Sequence, residues 1–531
     1  MRKHLLLFLC LLTGLMLTAE VHISIPDPET WTVDRLAGHI GQTVIFDDPM
    51  IVCATRGGGL TISPRRTFSP TNQARPSTEE YDNIVRLNGS GSMVLSGVSG
   101  NHRTGETIHN LQVTVNSKTN LTWQSGTFVG NSRADLEKGP DMRIIDAKGK
   151  HTLLVCAMNL EYYLAYQFDP SSTMGPANEA QHIKQRAKTL AALIAINADI
   201  FGFVEIQQGD SALIEIATYL NKALPERHYV IVGSGTTASG SYTQSCYIYD
   251  DKKVERQGAR IDIDNTGSKS RKRMQAFREK ETDEVFIFSI NHYKAKSGTG
   301  TGADANKGDG QGQFNNTRVL ESGAVLARYE TMISQVKDSD ILIMGDLNAY
   351  GKEDPIYRLT EYGMTDLHRF FHADSSYSYT FGNQAGYLDH ALCNSTLLPQ
   401  VTGMMGYHIN SDEDDAYTYD KSNDLSMFRC SDHDPVLVGL RLDKTAKVPG
   451  IEFNPLEVLV EGRDITIRNT HAIKGRAYYR LMSCNGLIYG EGEVDKEHGD
   501  FVLDAQPMDS GIYMLLLYAN GGVKVQKFII R

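Results

Sequence analysis

The chain has 531 residues, 41% of them hydrophobic and 22% charged, an ordinary soluble composition but too long for one hydrophobic core, so two to four domains are expected. A formal charge of −11 argues against the basic surface of a dedicated nucleic-acid-binding protein, unless domains divide the labour. Beyond the N-terminus no apolar run reaches the roughly eighteen residues of a membrane span.

The chain opens with Arg2-Lys3-His4, an almost unbroken apolar run from Leu5 to Leu17, and a small-residue exit at Thr18-Ala19. That layout reads as a secretory signal over residues 1–19, which places the mature chain outside the cell; the run is short for an anchor helix. Cys53, Cys156, Cys246, Cys393, Cys430 and Cys484 follow without a C-x-x-C pair, so neither a zinc site nor a dithiol motif is indicated. Export permits disulfides, and Cys393 with Cys430 is the candidate pair; two independent buried thiols are the equal alternative.

Residues 20–142 alternate short β-type runs, such as Val44-Ile45-Phe46 and Leu111 to Val115, with Gly, Asn, Ser and Pro clusters, the rhythm of a small barrel or sandwich. From 143 to 443, buried-looking runs (Leu153 to Met158, Val285 to Ile290, Ile341 to Met344) alternate with helical patterns. Ile183, Ala187, Leu190 and Ile194 recur at helical spacing, as do Val319, Ser322, Leu326 and Tyr329; this is an α/β domain. A linker at 444–452 leads to 453–531, where alternating strands predict a small β-sandwich.

Six segments of the middle domain end in a residue able to bind a metal or move a proton: Asn159, Glu205, His292, Asp346 with Asn348, Asp389, and Asp432-His433. Loops at strand ends are where a rigid scaffold positions function. Glu205 and Asp432 are hard oxygen donors and Asn159 offers a neutral oxygen, a set suited to Mg²⁺ or Mn²⁺, with Ca²⁺ the other candidate. Asp346 and Asn348 are two apart and on a strand would share a face, able to address one phosphate and its nucleophile. His292 and His433 titrate near neutrality, and Asp389 would orient an imidazole. Each motif alone has a plainer explanation, Gly345 to Asn348 as a turn and Asp432 to Pro435 as a cap or turn; six in order do not.

The series Asn159, Glu205, Asn291-His292, Gly345-Asp346-Leu347-Asn348, Leu388-Asp389-His390 and Ser431-Asp432-His433-Asp434-Pro435 resembles the endonuclease/exonuclease/phosphatase superfamily. The resemblance implies a four-layer α/β/β/α sandwich with the site at one rim. It implies Asn159, Glu205 and Asp432 at the metal, Asp346 and Asn348 at the nucleophile and phosphate, His433 oriented by Asp389 as base, and His292 at the leaving group. It further implies an arginine on the scissile phosphate near Arg273, in the basic run Lys269, Arg271, Lys272, Arg273, with Lys294 and Lys296 gripping neighbouring phosphates; a solvated charged loop is the alternative.

Within the superfamily, Asn291 to Gly298, the Gly-rich 299–312 loop and Tyr377 to Phe381 are similar to bacterial extracellular nucleases, and Thr107 to Gly139 resembles their N-terminal OB-like β-barrel, whose visible stacking aromatics here are Trp123 and Phe128. The tail is similar to a type IX secretion sorting domain, a partner for outer-membrane machinery, with a plain binding sandwich as the rival. Asp412-Glu413-Asp414-Asp415 lacks the EF-hand glycine and reads as a solvated loop rather than a Ca²⁺ site. The function expected is Mg²⁺-dependent endonucleolytic hydrolysis of extracellular DNA or RNA. Rivals are a lipid or inositol phosphoesterase, for which no exposed aromatic hairpin is visible, and a non-catalytic adhesin.

Overall fold

The computed structural model describes residues 20–55, 59–168, 174–233, 242–263, 271–442, 457–461, 464–468, 470, 477–483, 488–494, 499–504, 508–519 and 522–530. The expected signal segment 1–19, the expected 444–452 linker, Lys269 and Cys484 lie outside them. Among the described residues no helix is long and apolar enough to cross a membrane.

The N-terminal sheet contains β1 (Val21–Ile23), β2 (Thr43–Phe46), β3 (Met50–Ala54), β4 (Leu60–Ser63), β5 (Met93–Ser96), β6 (Thr107–Val115) and β7 (Asn120–Val129). β3, β4, β5, β7 and β6 pair in that order and β6 pairs back with β3, so five strands close on themselves. Closure removes free edges and encloses Val52, Ile62, Leu95, Ile108 and Val113. A helix, Glu79–Gly91, capped by Thr78 accepting from the Tyr81 amide, joins β4 to β5.

The middle region contains β8 (Leu153–Tyr163), β9 (Ile200–Gln207), β10 (Tyr229–Ile231), β11 (Thr243–Asp250), β12 (Val254–Asp262), β13 (Lys272–Glu279), β14 (Val285–His292), β15 (Ile341–Asp346), β16 (Thr365–Asp366), β17 (Tyr379–Phe381), β18 (Gln384–Gly386), β19 (Asp389–Cys393), β20 (Val401–Gly406) and β21 (Val436–Leu440). Two six-stranded sheets form, ordered β10-β11-β9-β8-β21-β20 and β12-β13-β14-β15-β19-β16. Their facing sides share a core that includes Val155, Val204, Phe288, Met344 and Val438. Helices Glu179–Ile196 and Ser211–Ala223 cover the first sheet through Leu193 and Ile216; Asn315–Leu326 and Tyr329–Val336 cover the second through Val325 and Met332. Strands buried on both faces explain the continuous apolar runs.

Two expectations change here, and one open choice, that of the two cysteines, is decided. The helix Glu179–Ile196 forms, but its buried face is rotated from the Ile183–Ile194 stripe: Ile183 is 47% exposed, while Ala192, Leu193 and Ile196 are buried. Polar residues share that buried face because partners await them, Glu215 for His182 at 2.9 Å and the Glu161 carbonyl for Gln185 at 3.1 Å. Cys393 and Cys430 are free, buried thiols in different core clusters, one between the sheets and one under the helices, so no bridge joins them.

The second changed expectation concerns Asp412 and Glu413. Rather than facing solvent, both are buried and receive arginines from the N-terminal side of the chain: Arg66 on Asp412 at 2.8 Å, and Arg103, at 2.5 Å, together with Arg133 on Glu413. Asn131 adds a bond to Asp412 at 2.8 Å. The helices Arg133–Leu136 and Met142–Ile145 already pack on the sandwich, with the Tyr407 hydroxyl on the Leu136 carbonyl and Ile145 in its core, so packing against the middle region begins ahead of residue 143.

The tail forms a three-stranded sheet (Glu457–Glu461, Asp464–Arg468, Asp500–Asp504) and a four-stranded one (Ala477–Ser483, Ile488–Glu493, Gly511–Ala519, Gly522–Ile530). Ile465, Leu481, Leu503 and Leu515 share one core between them.

Candidate active site

Strand register brings the distant motifs together. In the second sheet His292 lies opposite Asp346, and Asp346 opposite Asp389, so three strand ends set three polar side chains in a row. In the first sheet Asn159 ends the part of β8 paired with Val204 of β9, one residue before Glu205, and Asp432-His433 enter β21, which pairs with β8. Both rims open at the same end.

Contacts close the ring. The Asn159 amide donates to Asp346 Oδ2 at 3.3 Å, and His292 Nε2 lies 3.5 Å from Glu205 and 3.7 Å from Asp346. Across the cleft His433 Nδ1 meets Asp389 Oδ2 at 2.7 Å, and its Nε2 lies 3.9 Å from Asp432. Asp346, Asp389 and His433 each present an atom within 4.8 Å of the others. Asp346 and Asn348 converge by a turn, not by strand alternation, because β15 ends at Asp346: Asn348 adopts φ 48° and its amide N–H donates to Asp346 Oδ1 at 2.8 Å. Gly345 is required there, since a Cβ would fall 2.2 Å from the Asn291 carbonyl oxygen.

Four participants lie outside the expected set of site residues. Glu161 shares the rim with Asp432 and Arg429, and its own backbone, with that of Tyr162 and Glu205, is left-handed. The Tyr162 amide donates to Glu205 Oε2 at 3.2 Å, which helps hold this strained corner, the kind of backbone that concentrates at functional sites. Ser378 Oγ donates to Asp389 Oδ2 at 2.7 Å while accepting the Asp389 amide, fixing the carboxylate that fixes the imidazole. Tyr379 stacks on His433 with ring centroids 4.5 Å apart. Arg271 acts electrostatically on Glu205, His292 and Lys294. The sequence signal for Glu161 is its place two residues after Asn159; for Ser378 and Tyr379 it is their place in the Tyr377 to Phe381 segment, which assigns neither a role.

Arg273 is placed elsewhere. It is buried, with Nη1 donating to Gln244 at 2.7 Å and to the Ser245 carbonyl at 2.9 Å, so it ties β13 to β11. Arg271, two residues earlier and just ahead of β13, is half-buried, its carbonyl accepts the His292 N–H at 2.8 Å, and its charge acts on Glu205 and His292. Lys294 sits at the same rim over the Phe314 ring, whereas Lys296 is drawn onto buried Glu353 at 2.5 Å. The hairpin β17–β18 bears Phe381, 64% exposed, so an exposed aromatic hairpin does exist.

Electrostatics separate the two histidines. Burial, then Arg271 and His433, hold His292 well below the ordinary imidazole range and keep it neutral. Burial opposes the charge on His433, but Asp389, Asp432 and Asp346 together raise its proton affinity well above the usual value. Burial, reinforced by Asp432 and Asp346, lifts Glu205 to about 8; burial and Asp432 lift Glu161 to about 7; and burial lifts Asp346 to about 7. Carboxylates that raise one another, with Arg271 and Arg429 as partial counterweights, form an oxygen-donor set with charge to spare, which fits a divalent cation of the Mg²⁺ or Mn²⁺ kind.

Two six-stranded sheets packed face to face, with these side chains gathered at one rim, define an α/β sandwich. Residues 174–433 match the Endonuclease/Exonuclease/phosphatase family, and the chain therefore carries a domain of that family of hydrolases. Solved structures similar to it include a Bacteroides thetaiotaomicron endonuclease/exonuclease/phosphatase family protein, 16% identical, TM-score 0.37, covering 55% of this chain and 96% of that one. A B. thetaiotaomicron mannosyl-6-phosphatase is 17% identical with TM-score 0.38, covering 55% of this chain and 100% of its own. TDP2 of D. rerio, complexed with single strand DNA product, is 12% identical with TM-score 0.35, covering 55% and 99%. No curated protein matches the chain.

Proposed function

We propose that this chain is an exported, divalent-metal-dependent phosphodiesterase that hydrolyses nucleic acid, DNA in the first instance, by in-line attack of water. The observation that carries the reading is the Asp389–His433 pair at 2.7 Å facing an uncompensated group of carboxylates. Asp389, locked by Ser378, holds the Nδ1 side of His433 and turns Nε2 to the cleft; His433 would accept a proton from water once a bound cation balances Asp432 and Asp346, the carboxylates that with Asp389 raise its proton affinity. Neutral His292 is free to donate its N–H to a phosphoryl or leaving oxygen. Asp346 and the Asn348 amide orient the attacking water and the phosphate. Arg271 and Lys294 at the rim suit the neighbouring phosphates of a polymer.

Glu205, Glu161 and Asp432, with Asn159 beside them, are the residues that would hold Mg²⁺ or Mn²⁺. When bound, the ion supplies Lewis-acid neutralisation of charge on the phosphoryl oxygens. Export rests on the 1–19 segment, and a role for the tail in outer-membrane sorting on its terminal strands. The closed five-strand sheet is read as an OB-like module.

The test is direct. Purified protein is expected to degrade plasmid DNA in Mg²⁺ and not in EDTA; a His433→Ala variant of undiminished activity overturns the mechanism. The exposed Phe381 favours a second reading, a lipid phosphoesterase, which hydrolysis of sphingomyelin in place of DNA would establish.

A further inference from the structure

The hairpin β17–β18 extends the site outward. Tyr379 and Phe381 are two apart and share one face of β17. Tyr379 covers His433, and the Phe381 ring lies nearly parallel to Tyr379, 10° between planes and 6.5 Å between centroids. A large apolar ring left 64% exposed, with Tyr379 between it and the His433 imidazole, adds little to the core and offers one face to a ligand.

The hairpin is also held firmly, and by a distant part of the chain. Ser69 N–H donates to the Ala385 carbonyl at 2.8 Å and Ala385 N–H to the Thr67 carbonyl at 2.9 Å, with a parallel bridge between Phe68 and Ala385. The Thr67 hydroxyl bonds the Asn383 carbonyl at the turn. On the inner side Ser378 is fixed to Asp389. Residues that follow the closed sheet's β4 thus act as a third strand for the hairpin and hold the exposed ring at a set distance from His433, the preorganisation that favours binding.

We infer that Phe381 is a stacking platform for an unpaired nucleobase beside the scissile phosphate. The inference rests on the nuclease reading above and narrows it to substrates whose base is free to leave its own stack. Aromatic stacking tolerates any base, which suits a degradative enzyme. The turn around the ring, Thr380, Gly382, Asn383 and Gln384, is polar, so one phenyl group would have to enter a bilayer alone; cations at the same rim match a phosphate backbone better.

The experiment uses the full chain as wild type, Phe381→Ala and Phe381→Trp. Each is assayed on a single-stranded oligonucleotide and on one of equal length whose residues are abasic, with kcat and KM separated. Phe381→Ala is expected to lose roughly ten- to a hundred-fold in kcat/KM on the base-bearing strand, the worth of one stacked base, and at least tenfold less on the abasic strand. Phe381→Trp is expected to restore most of the loss. Equal losses on both strands, or none, overturn the inference while leaving the nuclease intact. Loss confined to binding of phosphatidylcholine–phosphatidylserine vesicles overturns it in favour of a membrane contact. A wild type that cleaves neither strand overturns the nuclease reading, and this inference with it.

Discussion

Two buried acidic groups in this molecule behave in opposite ways. Asp412 and Glu413 sit among Arg66, Arg103 and Arg133; although burial alone would raise it, the Asp412 carboxyl is held below its usual range by Arg66, His408 and Arg103. Glu205, Glu161 and Asp346 sit with Asp432, Asp389 and one another, and burial pushes them up to about 8, 7 and 7. The first group is complete within the chain and fastens its parts. The second holds more carboxylate than Arg271, Arg429 and His433 offset, and a buried group that the chain leaves unbalanced marks where something else is to be bound.

The largest expected effect tests the unbalanced group. His433→Ala should lower kcat on a phosphodiester by about 10²–10⁴-fold, the worth of a positioned proton acceptor, with circular dichroism unchanged. Arg103→Ala should do the reverse: loss of about 3–5 kcal/mol in urea unfolding, because Glu413 is left short of a partner, with the folded fraction cleaving at the wild-type rate. Catalytic loss without destabilisation in Arg103→Ala would dissolve the contrast.

A smaller effect is one of pH. Glu205 and Glu161 bind a proton more tightly folded than unfolded, so the stability they contribute is present below about 4.5 and is lost as pH rises through 7 and 8. Metal-free protein should therefore melt at falling temperature from pH 5 to pH 8. Mg²⁺ at a hundred times its Kd should return about 2.7 kcal/mol at the upper end, and Glu205→Gln should flatten the profile. A profile flat in wild type would sink the imbalance. The smallest change, roughly a fivefold rise in KM with a shallower salt dependence, is expected of Arg271→Ala at the rim.

What the sequence disclosed follows the range of the forces involved. His292 and Asp346 are legible because each closes an apolar run and Asp389 because it opens one, and register does the rest. The basic run does not reveal that Arg273 is taken up by Gln244 and the Ser245 carbonyl inside the sandwich, since the point where the sheets enclose β13 is a tertiary fact. Asp412 and Glu413 looked solvated because their arginines lie some three hundred residues away in sequence. The helix 179–196 was correct in extent and wrong in facing, for hydrophobic spacing alone does not anticipate that Glu215 makes His182 welcome inside.

The arginine–carboxylate bracket sets a limit on how this enzyme is divided for study or engineering. A protein trimmed to begin at residue 143 would keep the whole catalytic rim, yet strand Glu413 without a guanidinium and bare the edge of the Phe381 hairpin. Such a fragment is expected to precipitate unless Asp412→Asn and Glu413→Gln are introduced with it. The front of the chain is better regarded as a splint than as a detachable tag.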